Sequence, residues 1–239
     1  MICRGCCNDK KLVKSHVIPE SFFRDLREDE DYLKLISPSG EHPKRSPIGV
    51  YDKEILCREC EDKFQCFDFY AATTLIDREG QKPITDRGKV AAYLLQGIEY
   101  EQLKLFFVSL IWRASISKHR FYEKVDLGPL ETTAKNIIWN EESAAKDDFS
   151  FVLARFDGSE TLSKVMLDPH PERFFKIRYY RFYLGGYVLY IKADSQKTPE
   201  AFEPLIPQGN DLIILSRGNF EQSKEFVATV NGVKSYRKT

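Results

Sequence analysis

Near the N-terminus the apolar positions are short and β-branched. Leu12 to Pro19 reads as a strand that a proline ends and that carries His16 close to that end. A second strand is expected after Gly49. Between them, Arg24 to Pro47 holds the charged run Arg27-Glu-Asp-Glu-Asp31 and the turn-rich Ser37-Pro-Ser-Gly40, which predicts a long surface excursion of the kind that touches ligands. From Glu61 to Leu75 the period lengthens. Phe64, Phe67 and Ala71 recur at spacings of three and four, so a helix packed on one face is predicted there.

Arg78-Glu-Gly-Gln-Lys-Pro83 marks a boundary, and Asp86 is placed to cap a following helix. Leu103, Phe106, Phe107, Leu110 and Ile111 form the stripe of a second, well-buried helix, and Gly128-Pro129 opens a third that runs towards Trp139. From Phe149 the pattern changes. Phe149 to Phe156, Arg178 to Lys192, Leu212 to Leu215 and Phe226 to Val230 read as strands separated by Gly, Pro and Asn turns. The expected fold class is therefore α+β. A first module spans residues 1–80, and residues 81–239 form a helical segment (about 86–145) followed by a mainly antiparallel, β-rich part (about 149–236). There is no internal repeat and no low-complexity tract.

A chain of 239 residues that is 42% hydrophobic and 13% aromatic can bury a large core. Its 36 basic and 36 acidic residues cancel, so any contact with nucleic acid must come from a local patch and not from the overall field. The start Met1-Ile2-Cys3 shows neither the basic nor the apolar region of a secretory leader, which points to the cytoplasm, where cysteines stay reduced. The longest apolar run, Leu105 to Trp112, falls well short of the roughly 20 residues needed to cross a bilayer, so no membrane association is expected.

Cys3-Arg-Gly-Cys6 and Cys57-Arg-Glu-Cys60 change this picture most. Each CxxC places two sulfurs on one tight turn, and two such turns complete a tetrahedral S4 site for a structural zinc ion. Cys7, directly after the first pair, is a substitute for Cys6, and Cys66 on the predicted helix reads as an apolar core thiol.

The order CxxC, Ser15-His16-Val17-Ile18-Pro19, a loop, and Ile55-Leu56-Cys57-x-x-Cys60-Glu61 opening a helix resembles the HNH nuclease family, whose ββα-metal fold is often stapled by a zinc knuckle pair. The resemblance covers about the first third of the chain. It is narrower still to a bacterial group with Ser-His-Ile-Ile-Pro and Leu-Cys-x-x-Cys-Glu signatures. It implies a nuclease acting on DNA, less so on RNA, in bacterial defence against phage or foreign DNA. His16 falls on the general-base position of the family, and an imidazole with an ordinary pKa of about 6.5 suits that role. Asp52 stands where the family has asparagine. Glu61 and Gln65 occupy the helix positions that usually hold metal-binding histidines, and Ser15 replaces an acidic or histidine ligand. A Mg2+ or Mn2+ ion is implied, with Glu61 as ligand and Asp68 in support, although Asp68 lies about 10 Å further along the helix axis.

Arg173-Phe-Phe-Lys-Ile-Arg-Tyr-Tyr-Arg-Phe-Tyr183 mixes basic and aromatic residues in the way single-stranded nucleic-acid binders do, but a half-buried strand needs the same blend, and the strand is the favoured reading. His42, His119 and His170 read as surface residues. Glycine-rich phosphate loops, dinucleotide fingerprints and Gly-x-Ser-x-Gly elbows are missing, which weighs softly against ATPase, dehydrogenase and hydrolase classes. The competing function is a non-catalytic zinc protein that binds nucleic acid or a partner protein, with homodimerisation a further way to supply basic surface.

Overall fold

The computed structural model describes residues 1–24, 33–36, 44–46, 49–140, 145–157, 165–207, 209–224 and 226–227. Its first part comprises β1 (Ser15–His16), the single turn α1 (Ser21–Arg24), β2 (Leu33–Ile36), β3 (Lys44–Ser46), β4 (Tyr51–Asp52), α2 (Arg58–Asp62) and α3 (Gln65–Ile76). Then come β5 (Lys82–Asp86), β6 (Lys89–Gln96), α4 (Tyr100–Ile116) and α5 (Leu130–Asn140). The chain continues as β7 (Phe151–Asp157), β8 (Val165–Leu167), β9 (His170–Phe174), β10 (Ile177–Leu184), β11 (Tyr187–Lys192) and β12 (Asp211–Asn219).

The protein is a mixed α+β structure built on a seven-stranded sheet of order β5-β6-β12-β7-β11-β10-β9. Neighbouring strands are antiparallel except β12, which runs parallel to β7. Two-residue turns join its hairpins, and such turns need positive φ at both positions to match the strand twist. Gly185 and Gly186 supply this at 51° and 85°, whereas Phe175 and Lys176 adopt it at 52° and 68° despite their side chains.

α4 lies at the centre because its sequence offers no polar face. Every residue from Leu103 to Ala114 is buried, the signature of a helix packed on all sides. Phe107 meets Phe151 of the sheet with ring centroids 4.5 Å apart, and Phe106 stacks on Phe22 at 5.7 Å. On the opposite side Trp112 packs against Trp139 of α5 at 5.1 Å and against Phe64 at 6.2 Å. One continuous apolar cluster thus runs from Cys3 and Leu12 through α3, α4 and α5 to Leu212 and Ile214 of β12. A smaller cluster, with Ala154, Phe156, Leu167, Tyr183, Val188 and Phe220, covers the other face of the sheet.

Several expectations are corrected. Asp86 does not cap a helix; it ends β5, and Arg87-Gly88 turns the chain back into β6. The signal was present in Lys89-Val-Ala-Ala-Tyr-Leu-Leu-Gln96, where extended pairing with β12 overrides the helical tolerance of alanine and leucine. The excursion after Arg24 contributes β2 and β3, and β2 pairs in parallel with β8, so it is tied to the body of the protein. Its Ser37-Pro-Ser-Gly40 turn, the Arg27–Asp31 run and His42 lie outside the described residues. Arg178 to Lys192 forms two strands, and residues 226 and 227 are helical, with the remainder of that expected strand also undescribed. No helix among the described residues is long and apolar enough to cross a membrane.

Candidate metal centre

Two local structures bring the four cysteines together. In the first, Cys3 donates its N–H to Asn8 at 3.0 Å and accepts from the Cys7 N–H at 2.9 Å, closing a tight turn in which Cys7 takes a φ of 60°. In the second, Cys57 is extended and caps α2, so Cys60 falls in the first helical turn. Backbone bonds from Arg4 to Ile55 (2.8 Å) and from Val13 to Leu56 (2.9 Å) hold the two structures side by side.

The ligand sulfurs of Cys3, Cys6, Cys57 and Cys60 all lie within 4.8 Å of one another and can hold a metal ion. Cys6 and Cys57 are 3.9 Å apart, close to the edge of about 3.8 Å for a tetrahedron with metal–sulfur bonds of about 2.3 Å. Burial pushes the Cys3 thiol up, but the N–H groups of Cys57, Cys6 and Gly5 bring it down to about 7. Burial raises Cys57 and Cys60. The fit also fixes Gly5. A Cβ at that position would sit 2.7 Å from the Cys60 sulfur and 2.8 Å from the Trp139 ring, so the residue inside the first CxxC has to be glycine for the second CxxC and α5 to close over it. Cys7 is exposed and accepts from the Lys135 ammonium at 3.5 Å, outside the cluster. Cys66, expected in the core, is exposed on α3, because the apolar face of that helix falls on Phe67, Ala71, Ala72 and Leu75.

Beside this cluster β1 pairs with β4, Ser15 opposite Asp52 and His16 opposite Tyr51, and α2 and α3 follow. Ser15 and Asp52 point inward, with 0% and 6% exposure. The Asp52 carboxylate is fully engaged. One oxygen accepts the Glu54 N–H at 2.8 Å, and the other accepts the Ser117 hydroxyl at 2.9 Å and the Lys118 N–H at 2.7 Å, where α4 ends. It therefore ties the hairpin to the end of α4.

Asp68 is engaged as well. Arg113, 0% exposed, donates to both Asp68 oxygens at 2.9 and 2.6 Å. Its remaining donors go to the His16 carbonyl (2.9 Å), the Ser109 carbonyl (3.3 Å) and the Ser109 hydroxyl (3.1 Å). All five guanidinium N–H groups thus have partners, the condition under which a charge tolerates burial. Burial pushes the Asp68 carboxyl up while the charge of Arg113 pulls it back, and burial likewise raises Glu61 against the same charge. Gln65 donates to Asp62 at 3.2 Å.

Of the residues expected to hold a catalytic cation, Glu61 has its carboxylate beside the Ser15 hydroxyl and the His16 backbone, both of which favour its charged form against burial. Among the described residues the four cysteines are the one group of three or more His, Cys, Asp or Glu side chains close enough to share an ion. A hard cation such as Mg2+ needs several oxygen ligands, and these residues do not provide them.

The outward face of the hairpin has a different character, which the sequence reading missed. Lys14 and Lys53 are exposed, and their ammonium groups lie 5.0 and 5.7 Å from the centroid of the same Tyr51 ring. The half-buried His16 ring meets Tyr51 edge-on at 5.9 Å. Alternation along paired strands would have shown it, since Lys14 and His16 on one strand and Tyr51 and Lys53 on the other share a face. The basic and aromatic run in β9 and β10 is bound into the sheet instead. Arg178 donates to the Ala193 carbonyl at 3.0 Å, Arg181 is paired with Glu172, and Tyr179, Tyr180 and Phe182 are buried.

Compared with protein-family models, curated proteins and solved structures, the chain matches none.

Proposed function

We propose that this chain is a zinc-stapled nucleic-acid-binding protein whose β1–β4 hairpin contacts the phosphate backbone. The observation that carries the reading is the pair of exposed lysines sharing the Tyr51 ring beside His16. Two ammonium groups held near one aromatic ring, next to an imidazole, offer phosphate contacts beside an aromatic group. The whole chain is electrically neutral, so binding of this kind rests on the local patch. Zinc is the metal suited to four thiolates in a tetrahedron, and a closed S4 site leaves no position for substrate, so its role is to clamp the two CxxC turns and thereby set the hairpin. The resemblance to bacterial HNH modules makes DNA the first partner to test and a cytoplasmic role against foreign DNA the natural setting.

A catalytic version is the second reading, favoured by the buried Glu61 and Ser15 oxygens beside His16. Against it, Arg113 occupies both oxygens of Asp68 and brings the positive charge that a metal ion would otherwise supply. Metal analysis of the purified chain should find about one zinc per molecule, and a metal-free protein that folds normally would refute the staple. Gel shifts with duplex and single-stranded DNA and RNA should show retention that Lys14→Glu/Lys53→Glu weakens. Plasmid incubation with magnesium or manganese, beside His16→Ala, separates the two readings. Cleavage that depends on His16 would establish the enzyme, and binding without cleavage favours the proposal.

A further inference from the structure

On the face of the sheet away from α4, a cleft of about 470 Å3 opens between β7, β9, β10 and the end of β12. Its lining includes Phe156, Glu172, Arg181, Arg217 and Lys224, and the hairpin takes no part in it. Two features set it apart from ordinary polar surface. Three cationic side chains meet one carboxylate among the described lining residues. Both guanidinium groups are also held against rings, Arg181 5.2 Å from the Tyr190 centroid and Arg217 4.7 Å from that of Phe156. Arg181 is fixed further by Glu172 and by the Tyr183 hydroxyl, to which it donates at 3.4 Å. Side chains restrained in this way lose little freedom when they bind, and planar guanidinium donors match phosphate oxygens. The volume lies in the range of small-molecule sites.

We propose that this cleft binds the phosphate group of a nucleotide-sized small molecule, with Arg217 and Lys224 as the principal contacts and Arg181 as a restrained third cation. The site lies on the outer side of the sheet, so occupancy would be sensed by β12 and β7, whose parallel pairing shifts register between Ser216 and Asn219 at the cleft. The chain would then carry a phosphate-ligand site separate from its nucleic-acid surface.

Isothermal titration of the full chain with inorganic phosphate, with adenosine monophosphate and with a short single-stranded oligonucleotide tests this. The mononucleotide should bind with a dissociation constant of about 1 mM or tighter, phosphate more weakly and in competition with it. Arg217→Gln and Lys224→Gln should each weaken the mononucleotide about tenfold while the melting temperature of the free protein holds. Absence of mononucleotide binding, unchanged affinity in both variants, or binding of the oligonucleotide alone would each overturn the proposal.

Discussion

Replacing Arg113 by methionine removes the group on which the strand, the two helices and the half-buried carboxylate of Asp68 converge. The guanidinium donates to both oxygens of Asp68, to the His16 carbonyl and twice to Ser109. Loss of one partner from a buried pair leaves the other charge uncompensated and costs about 3–5 kcal/mol. For a chain of this size that lowers the melting temperature by about 10 °C. Arg113→Met/Asp68→Leu, which removes both charges, should recover most of the loss. A residual of about 1–2 kcal/mol remains, because the His16 carbonyl has lost its donor, while the Ser109 hydroxyl keeps its own bond to the Phe106 carbonyl at 2.8 Å. Urea unfolding followed by tryptophan fluorescence is a suitable readout, since Trp112 and Trp139 pack on each other near Arg113. A single variant that costs less than about 1 kcal/mol, or a double variant no more stable than the single, would refute the assignment of Arg113 as the compensating charge of this site.

Much of the centre was legible in the sequence. The CxxC pairs named the sulfur cluster, and the three-and-four spacing of Phe64, Phe67 and Ala71 named the buried face of α3. Charge compensation was not legible. Asp68 and Asp52 read as candidates for chemistry, yet their partners, Arg113 and the Ser117-Lys118 turn, lie 45 and 65 to 66 residues further on, and no local pattern announces such pairing. Asp86 was misread for a related reason. Lys89 to Gln96 has mixed local preferences, and β12, over a hundred residues away, decides in favour of a strand.

Gly5→Ala forces a Cβ into the Cys60 sulfur and Trp139, so it should reduce bound zinc well below one per chain and destabilise the fold by about 1–3 kcal/mol, measured by metal analysis and thermal denaturation. Lys104 is buried and donates to the Ala145 carbonyl at 2.9 Å, and burial pulls its pKa down to about 8 from an ordinary 10.5. Between those two values the unfolded chain holds a proton that the folded chain has released, so raising the pH through this window should stabilise the wild type relative to Lys104→Met. Parallel pH–stability curves for the two proteins would show that Lys104 is not perturbed.

Fluorescence anisotropy of a labelled DNA duplex, titrated with the full chain over a series of salt concentrations, tests the central claim most directly. If the β1–β4 hairpin binds the phosphate backbone, log affinity will fall linearly with log salt, and Lys14→Glu/Lys53→Glu will weaken binding and reduce the slope by about 2 without changing stability. Affinity and slope that are the same in the variant as in the wild type would contradict the account.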